Sequence, residues 1–253
     1  YYINSHYIVM CTKKGVIKKT LLEQYSRPRS NGINAITIRE GDQLLEAKMT
    51  TGNSQIMMAV SSGKSIRFEE EKVRSMGRTA AGVRGIKLAN DDDEVVGMIC
   101  IDDMSSSVLV VSENGYGKRS AVEDYRITNR GGKGVKTINI TDKTGDLISL
   151  KNVSDLDDLM VINKSGITIR IGVDTLRVMG RATQGVKIIR LREEDKIASV
   201  AKVSKWESQD SDSIDEVDQE NIDNTEISED LNINNDGTKE INNDETKEEN
   251  SNE

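Results

Sequence analysis

At 253 residues, with 35% hydrophobic and 3% aromatic content, the chain can form one or two cores, and these must be built from aliphatic side chains. The net charge of −8 hides a division: residues 207–253 hold 18 acids and two bases, which leaves 25 acids and 33 bases, a net of +8, in residues 1–206. A basic body points to a polyanion partner, and with no run of 18 apolar residues and no signal-peptide pattern the expectation is a soluble, cytoplasmic protein without a membrane role.

The chain opens "YYINSHYIVMC", already strand-like and without a starting Met, so it is expected to be a piece of something longer. Cys11 and Cys100 lie in apolar runs and are expected to pack as small hydrophobes in a reducing compartment. Continuing along the chain, four segments align: "SRPRSNGINAITIREGD", "MGRTAAGVRGIKLANDDD", "ITNRGGKGVKTINITDKTGD" and "MGRATQGVKIIRLREED". Their shared glycines, Gly32, Gly82, Gly134 and Gly185, are spaced by 50, 52 and 51 residues. A second series of turn glycines, Gly15, Gly63, Gly115 and Gly166, is spaced by 48, 52 and 51. Two glycine series with one period indicate an internal repeat.

Each unit reads as glycine loop, short strand, acidic turn, two strands, a Gly hairpin turn and a fourth strand. In "GVKIIRL" the expected alternation turns Val186, Ile188 and Leu191 one way and Lys187 and Arg190 the other. Four-stranded units near fifty residues suit propeller blades, and a half-unit at the start (1–26) implies further blades on the N-terminal side. This assigns 1–206 to one β domain and 207–253, without aromatics or proline, to a disordered acidic tail, with Trp206 sealing the last blade.

"NRGGKGVKT" fails as a nucleotide P-loop, because Val135 stands where that motif needs glycine before Lys-Thr. As a plain turn it needs only positive φ at Gly131 and Gly132. Yet every equivalent loop places cations beside its glycine: Arg27 and Arg29; Arg78 and Arg84; Arg130, Lys133 and Lys136; Arg181 and Lys187. Glycine lets backbone N–H groups approach a phosphate, so Gly131, Gly132 and Gly134 with these cations form a candidate phosphate cradle. The hairpin strands add Lys18, Lys19, Lys64, Arg67, Lys118, Arg119 and Arg170, at one phase of each unit. A belt of that kind suits duplex nucleic acid, and the lack of aromatic platforms argues against single strands. His6 is the lone histidine and Asp91 to Asp93 lack the spacing of a known metal loop, so no catalytic or metal site is expected.

The segments "MGRTAAGVRGIKL", "ENGYGKRSAVEDY", "RGGKGVKTI" and "VMGRATQGVKIIR" together closely resemble the C-terminal domain of the A chain of DNA gyrase, a type IIA topoisomerase, over about residues 1–205. The resemblance implies an all-β, propeller-like β-pinwheel of repeated four-stranded blades, about four and a half present, that wraps duplex DNA on a basic rim. It implies that the whole enzyme, a heterotetramer of two gyrase A and two gyrase B chains, uses this wrap for ATP-driven negative supercoiling in the bacterial cytoplasm. The catalytic tyrosine and the ATP and Mg2+ sites of that enzyme belong to other domains, so no cofactor is expected in this chain. The family's heptapeptide Q-[RK]-R-G-G-[RK]-G belongs to its first blade; "TNRGGKG" at 128–134 matches the last five positions in a later blade. The corresponding domain of the related topoisomerase IV and a propeller-type protein scaffold are the alternative readings.

Overall fold

The structure is a computed structural model that describes residues 5–192 and 194–204. The proposed tail and Trp206 lie outside the described residues. Within them fifteen strands form four sheets, the blades, in the order of the repeat.

Each blade is centred on a hairpin closed at a glycine of the Gly15 series: β1 (Tyr7–Thr12) with β2 (Val16–Leu21), β4 (Gln55–Val60) with β5 (Lys64–Glu69), β8 (Ser107–Ser112) with β9 (Tyr116–Ala121), and β12 (Asp157–Asn163) with β13 (Thr168–Gly172). These glycines need a left-handed backbone, φ 82°, 78°, 84° and 87°. A long third strand returns to the first strand of its own hairpin: β3 (Leu44–Thr50), β7 (Val95–Ile101), β11 (Leu147–Val153) and β15 (Ile197–Ser204).

The fourth strand comes from elsewhere. β6 (Val83–Arg84), β10 (Val135–Lys136) and β14 (Val186–Lys187) follow the second, third and fourth glycine loops, and each pairs with the hairpin of the preceding blade: β2, β5 and β9. Strand exchange therefore ties each blade to the next, the pinwheel expected above. The last sheet has three strands among the described residues, β13-β12-β15. In "GVKIIRL" Val186, Ile188 and Leu191 are half-buried and Lys187 and Arg190 exposed, as expected, but only Val186 and Lys187 are in the sheet; the chain then leaves it, and Ile189, at 6% exposure, is its most buried residue.

Successive sheets stack face to face, so a central strand is buried on both sides. Ile56, Met58 and Val60 of β4 pack with Val9, Cys11 and Ile17 of the first blade. Met57 and Ala59, between them in sequence, pack with Val108 and Val110 of the third blade. Leu109 and Val111 repeat the pattern against Leu159 and Val161 of the fourth. That explains apolar runs without alternation. Cys11 packs in the first core and Cys100 beside it, and burial pushes both thiols up to about 12.

Candidate nucleic-acid interface

Four short 3-10 turns, Leu22–Tyr25, Glu70–Lys72, Val122–Asp124 and Val173–Thr175, end the hairpins and lead into the glycine loops. After the last three, the chain docks on the preceding blade: Met76 N–H donates to Lys19 O (2.9 Å), Thr128 to Arg67 O (2.8 Å) and Met179 to Arg119 O (2.8 Å). The loop glycine then lies on that blade's backbone. A Cβ at Gly134 would stand 2.3 Å from Ser65 O, at Gly82 2.7 Å from Ile17 O, and at Gly185 2.6 Å from Gly117 O. Close approach, with positive φ (95°, 70° and 81° in chain order), accounts for these three glycines; Gly32, at φ 79° with no atom within 4 Å of an added Cβ, needs only the left-handed backbone.

Within "NRGGKG", Gly131 and Gly134 have positive φ, 80° and 70°, whereas Gly132 does not and has no atom closer than 3.5 Å to an added Cβ. The plain-turn expectation of positive φ at Gly132 is thereby corrected. What Gly132 supplies is its carbonyl, which accepts from Lys87 N–H at 2.9 Å.

That bond belongs to a ladder joining successive loops, with Thr37 N–H on Ala80 O (3.4 Å) before it and Asn139 N–H on Thr183 O (3.2 Å) after it. Guanidinium groups reinforce it in the same phase: Arg78 on Asn34 O (2.6 Å), Arg130 on Arg84 O (3.1 Å) and Arg181 on Lys136 O (2.8 Å). The four loops thus form one cross-linked strip along the edges of the blades.

On this strip Arg27, Arg29, Arg84, Lys133, Lys136 and Lys187 are exposed, and Arg78, Arg130 and Arg181 are half-buried. Among the described residues none of these nine cations lies within 4 Å of a carboxylate, although eight other ion pairs do form. The half-buried Lys64 stands directly opposite Lys136 in the β5–β10 register, a like-charge pair that an anion between them would relieve. Arg27, Arg29, Asn34, Gly32 and Arg78 line an open cleft of about 620 Å³. Arg126, Lys133, Gly132 and Gly134 line a narrower one of about 230 Å³.

Arg126 was not among the expected contacts, and neither were Arg74 and Arg177, its counterparts; all three are exposed. Each stands eight residues before its loop glycine, just after a buried Val73, Tyr125 or Leu176. The repeat carried that signal.

The hairpin cations require a correction. Lys18, Lys19, Arg67, Lys118 and Arg119 are all buried, from 0% to 6% exposed, and do not belong to an exposed belt. Stacking of sheets on both faces leaves alternating side chains no outward face, so these turn onto the next blade. Lys19 reaches the Glu70 carboxylate at 3.5 Å and the Tyr7 ring at 4.8 Å. Arg67 donates to Val122 O (2.6 Å) and Tyr125 O (2.9 Å), and Arg119 to Val173 O (2.9 Å) and Leu176 O (3.2 Å), capping the 3-10 turn of the following blade. Burial holds the Arg67 guanidinium below its ordinary value, with Glu123 and Glu69 opposing. Lys18 donates to Ala35 O and Arg78 O, and Lys118 to Gly180 O (2.6 Å) and Thr183 Oγ1 (3.2 Å). Arg170, the fourth of the series, is exposed and paired with Asp158 of its own hairpin at 2.7 Å.

Of the acidic turn, Asp91 and Asp92 are exposed, while Asp93 is buried and accepts from Ser61 Oγ (2.8 Å), Ser62 N (3.0 Å) and Ala89 N (3.0 Å). Burial works to raise its carboxyl, but these bonds hold it below the usual range. Asp93 is a scaffold residue that fixes a hairpin turn.

The family model "DNA gyrase C-terminal domain, beta-propeller" matches four times, over residues 6–50, 54–102, 106–154 and 157–204, one match per hairpin, loop and return strand. The chain is similar to the gyrase A protein of Chlamydia pneumoniae, 43% identical over 82% of this chain and 25% of the relative. It is also similar to that of Staphylococcus aureus strain MRSA252, 40% identical over 91% of this chain and 26% of the relative. It thus spans about a quarter of the length of the curated relatives it matches. Among solved structures it shares its fold with the C-terminal domain of DNA topoisomerase IV (TM-score 0.76, 23% identity, 81% of this chain and 64% of that one). The DNA gyrase A C-terminal domain gives a TM-score of 0.71 at 23% identity, over 80% of this chain and 67% of that one. Four consecutive matches, each on one repeat unit of the fold, place the chain in the DNA gyrase C-terminal domain family of β-propellers.

Proposed function

We propose that this chain binds and wraps duplex DNA as the C-terminal domain of a gyrase A protein. The observation that carries this reading is the loop strip: nine cations without carboxylate partners among the described residues, at one phase of four successive units, held in place by cross-links between loops. Regularly spaced phosphates are the ligand that such a periodic positive edge fits. Backbone contacts of this kind fix position without reading sequence, so binding is indifferent to base sequence apart from its bendability.

Bending duplex DNA over 20–30 base pairs by 40–90° costs on the order of 1–6 kcal/mol, so a wrapping surface must offer contacts in series. Rigid spacing between loops serves that need, because ordering of the contacts is complete before DNA arrives. In this reading the whole gyrase, built with gyrase B and a second gyrase A chain, uses the wrap for ATP-dependent negative supercoiling in the bacterial cytoplasm. ATP, Mg2+ and the cleavage chemistry act outside this chain.

Affinity of the purified chain for a linear duplex, measured against salt, tests the reading. Six or more phosphate contacts give a log–log slope steeper than about −5. A slope near zero sinks it.

A further inference from the structure

Two ammonium groups in this fold are buried without a carboxylate within 4 Å among the described residues. Lys18 is 0% exposed and Lys118 1%. A buried charge without a counter-ion is costly, and hydrophobic replacement at such a place is often neutral or stabilising. The repeat itself supplies that replacement: three residues after the turn glycine stand Lys18, Ile66, Lys118 and Ile169. Packing alone is satisfied by isoleucine, so the two lysines do something more.

Both amines grip glycine loops from beneath. Lys18 donates to Ala35 O of the first loop and Arg78 O of the second; Lys118 donates to Gly180 O and Thr183 Oγ1 of the fourth. Resting on the DNA-wrapping reading, we propose that Lys18 and Lys118 are positioning residues of the DNA-binding strip, whose protonated amines hold these loops in their binding shape and whose loss of protons weakens the grip on DNA.

Around Lys18 the facing groups are the Arg78 cation, which repels it, and the Tyr25 hydroxyl, which shares Ala35 O at 3.3 Å. Around Lys118 they are Asp124, which favours its charge, Arg181, which opposes it, and Thr183. Burial, more than these neighbours, pushes both amines down to about 8, so they exchange protons near neutral pH. DNA phosphates on Arg78 and Arg181 offset the repulsion from those arginines, which raises both pKa values in the complex. By linkage, DNA binding then takes up protons around pH 8, and affinity is greatest at low pH and falls as pH rises.

The test compares the wild-type chain with the Lys18→Ile/Lys118→Ile double variant on a linear duplex from pH 7 to pH 9 at fixed ionic strength. Proton uptake is read from binding heats in buffers of different ionisation heat. The expected result is a wild-type affinity that falls about three- to tenfold per amine with measurable proton uptake, against a folded variant that binds weakly, without pH dependence and without uptake. A wild type that binds DNA with flat affinity and no proton uptake overturns the inference. If the variant does not fold, wild-type uptake alone decides. If the wild type fails to bind DNA at pH 7, the DNA reading is what fails; amide-exchange protection of residues 34–37 and 180–185, corrected for intrinsic rates, then reports whether the amines hold the loops.

Discussion

The guanidinium of Arg130 donates to the backbone carbonyl of Arg84, 3.1 Å away in the preceding glycine loop, and also to Lys72 O at 2.9 Å. A residue read from sequence as a phosphate ligand is thus also a strut between two loops. Arg130→Lys keeps the charge and loses the fork geometry that reaches both carbonyls. The expected outcome is an unchanged salt slope with reduced DNA bending, checked by end-to-end fluorescence transfer on a short duplex beside affinity.

Lys133 and Arg126, by contrast, face the same cleft and make no ion pair among the described residues. Removing both with Arg126→Ala/Lys133→Ala is expected to weaken binding to all sequences alike and to reduce the salt slope by roughly two, one per lost phosphate contact. Stability should stay within about 0.5 kcal/mol of wild type, because both side chains are on the surface. A salt titration and a thermal melt check the two halves of this expectation.

The buried Arg67 predicts the opposite division. Arg67→Ala takes the guanidinium donor from Tyr125 O and leaves Val122 O with the Tyr125 N–H alone, inside the joint between two blades. The expected loss is about 2–4 kcal/mol of stability. Urea denaturation measures it; an unchanged midpoint with a reduced salt slope would return Arg67 to the DNA-binding surface.

Much of this architecture was legible. Glycines at a constant period marked the blades because each adopts a left-handed backbone that favours glycine. Gly134 lies on Ser65 O, and Gly63 turns a hairpin whose carbonyl then accepts from Thr137 N at 2.9 Å. Strand exchange was not legible from the residues themselves, since Val83 and Arg84 pair back to Ile17 and Val16 of the preceding blade and two residues carry no pattern of their own. The mistaken outward placement of Lys118 and Arg119 has the same root. Alternation assigns a polar face, but it cannot tell that a second sheet covers that face, where carbonyls of a 3-10 turn wait for donors.

The two depressed lysines set the sign of one pH effect on folding. Lys18 and Lys118 are held at about 8 in the folded chain against an ordinary value of 10.5. Between those values the unfolded chain binds more protons, so the destabilising contribution is full below about pH 8 and fades as pH rises toward 10.5. The wild-type chain should gain stability from about pH 7.5 to about pH 9.5 relative to the Lys18→Ile/Lys118→Ile variant. Parallel melts of the two proteins across that range measure the difference.

Gly134→Ala tests the close approach at the loop. Its Cβ would meet Ser65 O at 2.3 Å from a backbone at φ 70°, so the loop must lift from the preceding blade. Gly132→Ala meets nothing nearer than 3.5 Å. The first is expected to lower Tm and abolish bending, and the second to leave Tm within about 2 °C.

The most direct measurement of the central claim, that loop cations wrap DNA while hairpin cations join blades, is DNA bending by the chain carrying Arg84→Ala, Arg126→Ala, Lys133→Ala and Lys136→Ala together. The account predicts wild-type thermal stability with end-to-end fluorescence transfer reduced to the level of free duplex. Undiminished bending by a fully folded quadruple variant would contradict it.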